Sequence, residues 1–121
     1  MDARLDSVFL KMLKAMAYID PATVDGPTGG IVRCYNSQAS GITRTVPKCG
    51  FTFTYEALGI YNIDFGFDVS DRFILANAVF GSAITNPYLI SGTKVFLYVR
   101  YTCCGSKVGD TTDAPFFIFV Y

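Results

Sequence analysis

The chain has 121 residues, ten Lys or Arg against ten Asp or Glu, and no histidine. One domain is the size expectation, and a formal net charge of zero speaks against non-specific nucleic-acid binding, which needs a basic footprint. The missing imidazole removes Ser-His-Asp and Cys-His nucleophiles and most catalytic zinc sites. Hydrophobic residues make up 51%, with eleven Phe and eight Tyr, and mean hydropathy is +0.36. No run approaches the ~20 apolar residues of a spanning helix, so the expectation is no membrane span. The apolar surplus therefore needs another cover, and a second copy of the chain is the expected one.

In residues 2–20, Leu5, Phe9, Met12, Met16 and Ile19 stand four, three, four and three apart, the seam of a coiled coil. Asp2 and Asp6 precede Lys11 and Lys14, in the sense that complements a helix dipole. Those acids occupy the place of the basic region of a secretory signal, so no such signal is read here. Asp20-Pro21 supplies the stop. The expectation is an amphipathic helix over 1–20, either in an inter-chain bundle, which is preferred, or on its own sheet, since Val8, Leu10 and Leu13 widen the apolar face. Residues 21–30 carry two prolines and three glycines and are read as a linker.

From 31 to 121 the pattern is β. The expected strands are 31–36, 42–46, 51–56, 60–67, 72–80, 94–102 and 116–121, an antiparallel, jelly-roll-like β-sandwich head. Between 59 and 80, Tyr61, Ile63, Phe65 and Phe67 alternate with Asn62, Asp64, Gly66 and Asp68, a strand with one buried and one wet face. Turn residues at 69–71 predict a hairpin to the next strand. In 94–102, Lys94, Phe96, Tyr98 and Arg100 share one face, mixing aromatics with charge as interfaces do. The run Phe116-Phe117-Ile118-Phe119-Val120-Tyr121 is apolar on both faces, so both should be covered. Phe96, Tyr98, Phe117, Phe119 and Tyr121 thus join Leu5, Phe9, Met12, Met16 and Ile19 as expected subunit contacts. Because the head holds most of the apolar burial, removing 1–20 is expected to leave a folded, less stable oligomer.

Little chemistry stands out. Asp64 and Asp68 would be the carboxylate pair of a glycosidase, but a solvated face near Arg72 accounts for them, so no enzyme is expected. Asp64, Asp68 and Asp71 lack the glycine-punctuated spacing of a calcium loop; Asp68-Val-Ser-Asp71 reads as a turn in which an Asp side chain bonds backbone two residues on. No metal or cofactor is expected. Cys34, Cys49, Cys103 and Cys104 allow three pairings. A 34–49 bridge would close the first hairpin in an oxidising setting, yet nothing marks the chain as secreted, and thiols are favoured. Residues 81–92 and 105–115 are read as loops carrying Asn86, Tyr88, Lys107, Asp110, Thr111, Thr112 and Asp113. Exposed Tyr with short polar groups suits a sugar, whose face a ring can cover, although ordinary loop composition gives the same residues.

The order of heptad helix, Pro/Gly connector and β head ending on an apolar strand resembles the trimeric C-terminal heads of bacteriophage tail fibres and receptor-binding proteins. The run Gly59-Ile-Tyr-Asn-Ile-Asp-Phe-Gly-Phe and the ending Ala114-Pro-Phe-Phe-Ile-Phe-Val-Tyr are similar to complement-type and tumour-necrosis-factor-like jelly-roll heads. The likeness covers residues 46–121 and is one of pattern, with no motif matched residue for residue. It implies a homotrimer held along its axis by the last strand, at a virion fibre or spike tip or otherwise extracellular. Loops at the far end would meet a cell-surface receptor or glycan. The alternative is a structural virion protein, a capsid decoration or spike base, without a receptor.

Overall fold

The computed structural model describes residues 13–38, 42–43, 49–79, 81, 83–102 and 108–121. Nine strands are found among them: β1 (Ala15–Ile19), β2 (Ile31–Asn36), β3 (Ile42–Thr43), β4 (Thr52–Ala57), β5 (Ile60–Asp64), β6 (Ile74–Ala78), β7 (Ala83–Ser91), β8 (Lys94–Tyr101) and β9 (Phe116–Val120). They form two antiparallel sheets, sheet A in the order β3-β2-β1-β9-β6 and sheet B in the order β4-β5-β8-β7. The expected antiparallel β-sandwich architecture is present. Among the described residues no helix is long and apolar enough to cross a membrane.

The helix expected over 1–20 is corrected where it can be seen. Residues 15–19 are a strand, and 1–12 lie outside the described residues. Met16 and Ile19, three apart, would share a helical face, but along a strand they point to opposite sides. Ala15, Ala17 and Ile19 are buried, and β1 pairs with β2 on one side and β9 on the other. Two neighbouring ladders satisfy its backbone, and local helical spacing cannot compete with that. Residues 21–30 accordingly connect two adjacent strands of one sheet rather than a helix to a head. They begin with a single 3-10 turn, Pro21–Thr23, in which Asp20 Oδ1 accepts from the Ala22 amide at 3.1 Å.

The hairpin expected between β5 and β6 is also corrected. β5 pairs with β4 and β8 in sheet B, while β6 pairs with β9 in sheet A. Residues 65–73 therefore cross from one sheet to the other. Val69, fully buried, joins the core there. The turn chemistry itself is as expected, with Asp68 Oδ1 accepting from both the Ser70 amide (2.9 Å) and its hydroxyl (2.6 Å).

The region read as a loop at 81–92 contains β7, which pairs with β8 across a register shift between Pro87 and Leu89. Proline reads as a breaker because it donates no ladder bond, but β7 is the edge of sheet B, where one missing donor is tolerated.

The core is built from complementary sizes. Sheet B contributes Phe53, Tyr61, Ile63, Phe65, Val95, Leu97 and Val99, and sheet A contributes small Ala15 and Ala17 beside Ile19, Phe116, Ile118 and Val120. Tyr61 stacks on Phe116 across the layers at 5.7 Å and 11°, an offset ring pair that adds to simple area burial. Cys34 of β2 and Cys49, just before β4, form a disulfide with Cα atoms 6.3 Å apart. It ties β2 of sheet A to the segment entering sheet B. The preference for thiols is corrected for this pair, because folding buries both sulfurs together; Cys103 and Cys104 lie outside the described residues.

Candidate functional site

Three features gather the side chains that composition and pattern single out. The first is the outer face of sheet A. Along β9, Phe116, Ile118 and Val120 are buried while Phe117 and Phe119 lie on the other side, only partly covered. Register places Met16 and Tyr18 of β1 opposite Phe119 and Phe117, and Leu75 and Asn77 of β6 opposite the same two rings. Tyr35 and Arg33 of β2 sit beyond Met16 and Tyr18. The Tyr18 and Phe117 centroids are 4.7 Å apart, and Phe117 stacks on Phe119 at 6.2 Å. At the β6 edge Phe73 and Leu75 are 79% and 57% exposed. Phe73 exchanges main-chain hydrogen bonds with Tyr121, which carries the surface to the chain end. A row of partly covered aromatic and aliphatic side chains four strands wide is more than scattered surface apolarity.

The expected subunit contacts divide accordingly. Met16, Phe117, Phe119 and Tyr121 are brought together on this face. Leu5, Phe9 and Met12 lie outside the described residues. Ile19 is corrected: it is fully buried in its own core and presents nothing to a second chain. Phe96 and Tyr98 are on sheet B, away from this face. Tyr18, Phe73 and Leu75 were missed in the sequence, and reading 15–19 with period two would have exposed the first.

The second feature is the outer face of sheet B. Asn86 pairs directly with Tyr98, Ile84 with Arg100, and Leu89 with Phe96. The register shift leaves Tyr88 as the extra residue, half exposed, and its ring stacks on Tyr98 at 5.2 Å and 21° and lies 6.4 Å from Phe96. Arg100 Cζ stands 4.0 Å from the Tyr98 centroid, within cation–π range. On the β5 side Asn62 lies opposite Phe96 and donates to Glu56 Oε1. So Asn86 and Tyr88, read as loop residues, are on a strand, and they share a face with Phe96 and Tyr98.

The third feature is a carboxylate tie. Asp113 Oδ1 accepts from the Tyr61 hydroxyl (2.6 Å) and the Gly59 amide (2.7 Å), and Oδ2 accepts from the Tyr55 hydroxyl (2.7 Å). These bonds join the β4–β5 turn to the segment entering β9. Burial and the Asp113 hydrogen bond raise the Tyr61 phenol above the usual tyrosine value, and the Asp113 bond leads the same shift at Tyr55. Gly59 has φ +67°, and a Cβ there would meet Thr112 N at 2.6 Å and Val99 O at 2.7 Å, so only glycine lets the turn approach so closely. Beside the tie an open recess of about 550 Å³ is lined by Pro21, Ala22, Val24, Asp25, Phe53, Thr54, Tyr55 and Asp113. The carboxylate is already bound by three donors, which suits a structural tie and not a base waiting for a substrate.

Of the remaining expected loop residues, Asp110 accepts a main-chain bond from Tyr101, and Thr112 donates one to Val99; Lys107 lies outside the described residues. The loop set is thus not one cluster. Asp113 sits by β4 and Tyr88 on β7, at opposite edges of sheet B. Compared with protein-family models, curated proteins and solved structures, the chain matches none.

Proposed function

We propose that this chain is a non-enzymatic recognition head that assembles with copies of itself through the outer face of sheet A, as a trimer, and binds a cell-surface receptor or glycan. One observation carries it: the apolar face formed by Met16, Tyr18, Leu75, Phe117 and Phe119 lies on the sheet in which the last strand is flanked on both sides. Burying such a face against its own copies removes apolar surface from water at roughly 25 cal/mol per Å². It also gives a symmetric, closed assembly.

Strand order supports the jelly-roll form of the sandwich. First strand pairs with last, β5 pairs with β8, and the chain passes from sheet A to B, back to A through β6, to B, and ends in A. The likeness of residues 46–121 to fibre-tip heads is what supports a place at the tip of a virion fibre or spike. Weak contacts repeated in three copies would supply useful avidity.

The test is solution mass by light scattering. A species near three times 13.3 kDa is expected, and Phe119→Asp should give a folded subunit of single mass. A wild-type protein that stays a single subunit at working concentration overturns the proposal.

A further inference from the structure

We infer that the outer face of sheet B is the ligand face of the head, and that its ligand is a saccharide bearing a carboxylate, received by Tyr88 and Arg100. The inference deepens the proposed function and rests on it: the two sheets of a sandwich turn their outer faces in opposite directions, so a head assembled through sheet A presents sheet B outward.

The two faces differ in how closely a cation is held on a ring, 5.5 Å for Arg33 over Tyr18 on sheet A and 4.0 Å for Arg100 over Tyr98 on sheet B. Around the central rings of sheet A the neighbours are Met16, Leu75 and Tyr35, with Asn77 directly opposite Phe117 and Arg33 opposite Tyr18. On sheet B a short aromatic row is bordered by Asn86 and Arg100 toward β7, while toward β4 Asn62 stands opposite Phe96 and occupies the Glu56 carboxylate. Asn86 stands opposite Tyr98, and Arg100 follows two residues on along β8. Tyr98 is enclosed, with Tyr88 stacked at 5.2 Å and the Arg100 guanidinium 4.0 Å from its centroid. Tyr88, half exposed, is therefore the ring left to cover the apolar face of a sugar.

Arg100 supplies the charge selectivity. Among the described residues the only ion pair is Arg72 with Asp71, so no carboxylate of those residues neutralises Arg100. Among the described residues its Nε is buried without an acceptor, and the Nη donors are the part assigned to the ligand. A guanidinium held on a ring, with no acid partner among the described residues and the Asn86 amide nearby, suits a planar carboxylate. Stacking fixes its position in advance and reduces the ordering that binding would otherwise require. A nucleic-acid strand could use the same rings, but the neutral chain gives little attraction to a polyphosphate.

The test uses the full chain and two matched pairs of probes, sialyllactose against lactose and trigalacturonate against maltotriose, read by titration calorimetry and by tyrosine fluorescence, which is undisturbed because the chain has no tryptophan. At least one acidic probe is expected to bind roughly tenfold or more tighter than its neutral partner, as a charge-assisted bond implies. That preference should weaken with added salt. Arg100→Gln should abolish the preference, Arg100→Lys should retain part of it, and Tyr88→Ala should weaken both members of a pair. The solution mass of each variant should equal that of wild type. Equal binding of acidic and neutral probes, no binding of either acidic probe, or a preference that survives Arg100→Gln overturns the inference. Failure of the head reading would appear separately, as a single-subunit mass for wild type whatever the sugars do.

Discussion

Replacing Asp113 with alanine should cost the fold about 1–3 kcal/mol, the loss of charge-assisted hydrogen bonds that water only partly replaces at this exposed carboxylate. The figure follows from what the carboxylate holds. Oδ1 takes the buried Tyr61 hydroxyl and the Gly59 amide at 2.6 and 2.7 Å. Gly59 itself is buried, so its amide depends on Asp113 more than an exposed donor would. The bond to the more exposed Tyr55 adds less. Asp113→Asn keeps an acceptor toward Tyr61 and Gly59 while losing the charge, so about half the effect should remain. Asp110→Ala is the control, since that residue bonds through its main-chain carbonyl and should change stability by no more than about 0.5 kcal/mol. Urea unfolding followed by far-ultraviolet circular dichroism gives all three, with the midpoint falling by about 1–2 M for the alanine variant at a typical slope. An Asp113→Ala midpoint indistinguishable from that of Asp110→Ala would refute the tie.

The same tie makes the fold sensitive to alkali. Tyr55 and Tyr61 hold their protons more tightly folded than the ordinary value of 10.0 allows. Their contribution is therefore fully present below pH 10 and is lost as pH rises from there toward the folded-state values, because the unfolded chain ionises first. Urea midpoints between pH 8 and pH 11, as experimental settings on the order of the tyrosine range, should fall more steeply for wild type than for Tyr61→Phe. Reducing Cys34–Cys49, which closes a separation of 15 residues, should remove about 3 kcal/mol, visible as a lower urea midpoint with dithiothreitol. Deleting residues 1–20, expected from the sequence to leave a folded head, should instead unfold it, because β1 lies between β2 and β9 and carries fully buried Ile19. A cooperative native-like melt from that deletion would contradict the placement of β1.

Alternation along a single strand is a local property, and it was legible wherever a strand has distinct faces. Tyr61, Ile63 and Phe65 are buried as expected, although Asn62, expected on a wet face, is buried as well; Phe96, Tyr98 and Arg100 alternate with the buried Leu97 and Val99, and the last strand is apolar on both sides. The Asp68–Ser70 turn was equally readable, since it needs only residues two apart. Residues 15–19 were ambiguous because five residues satisfy a helical and an extended period alike. The edge position of β7, which makes Pro87 acceptable, is invisible until the sheet is assembled.

The sequence by itself thus determined a β protein, the inner faces of its longer strands, and an excess of apolar surface. Tertiary structure alone decided which strands are neighbours, that Cys34 meets Cys49, and that Asp113 closes on Tyr61 from 52 positions away. It also decided that Asn86 and Tyr88 join Phe96 and Tyr98 on a face opposite Phe117 and Phe119. The reason is physical: side-chain period is set by bond geometry within a few residues. Pairing across a sheet is set by which distant segments bury their apolar faces together at an acceptable entropic cost.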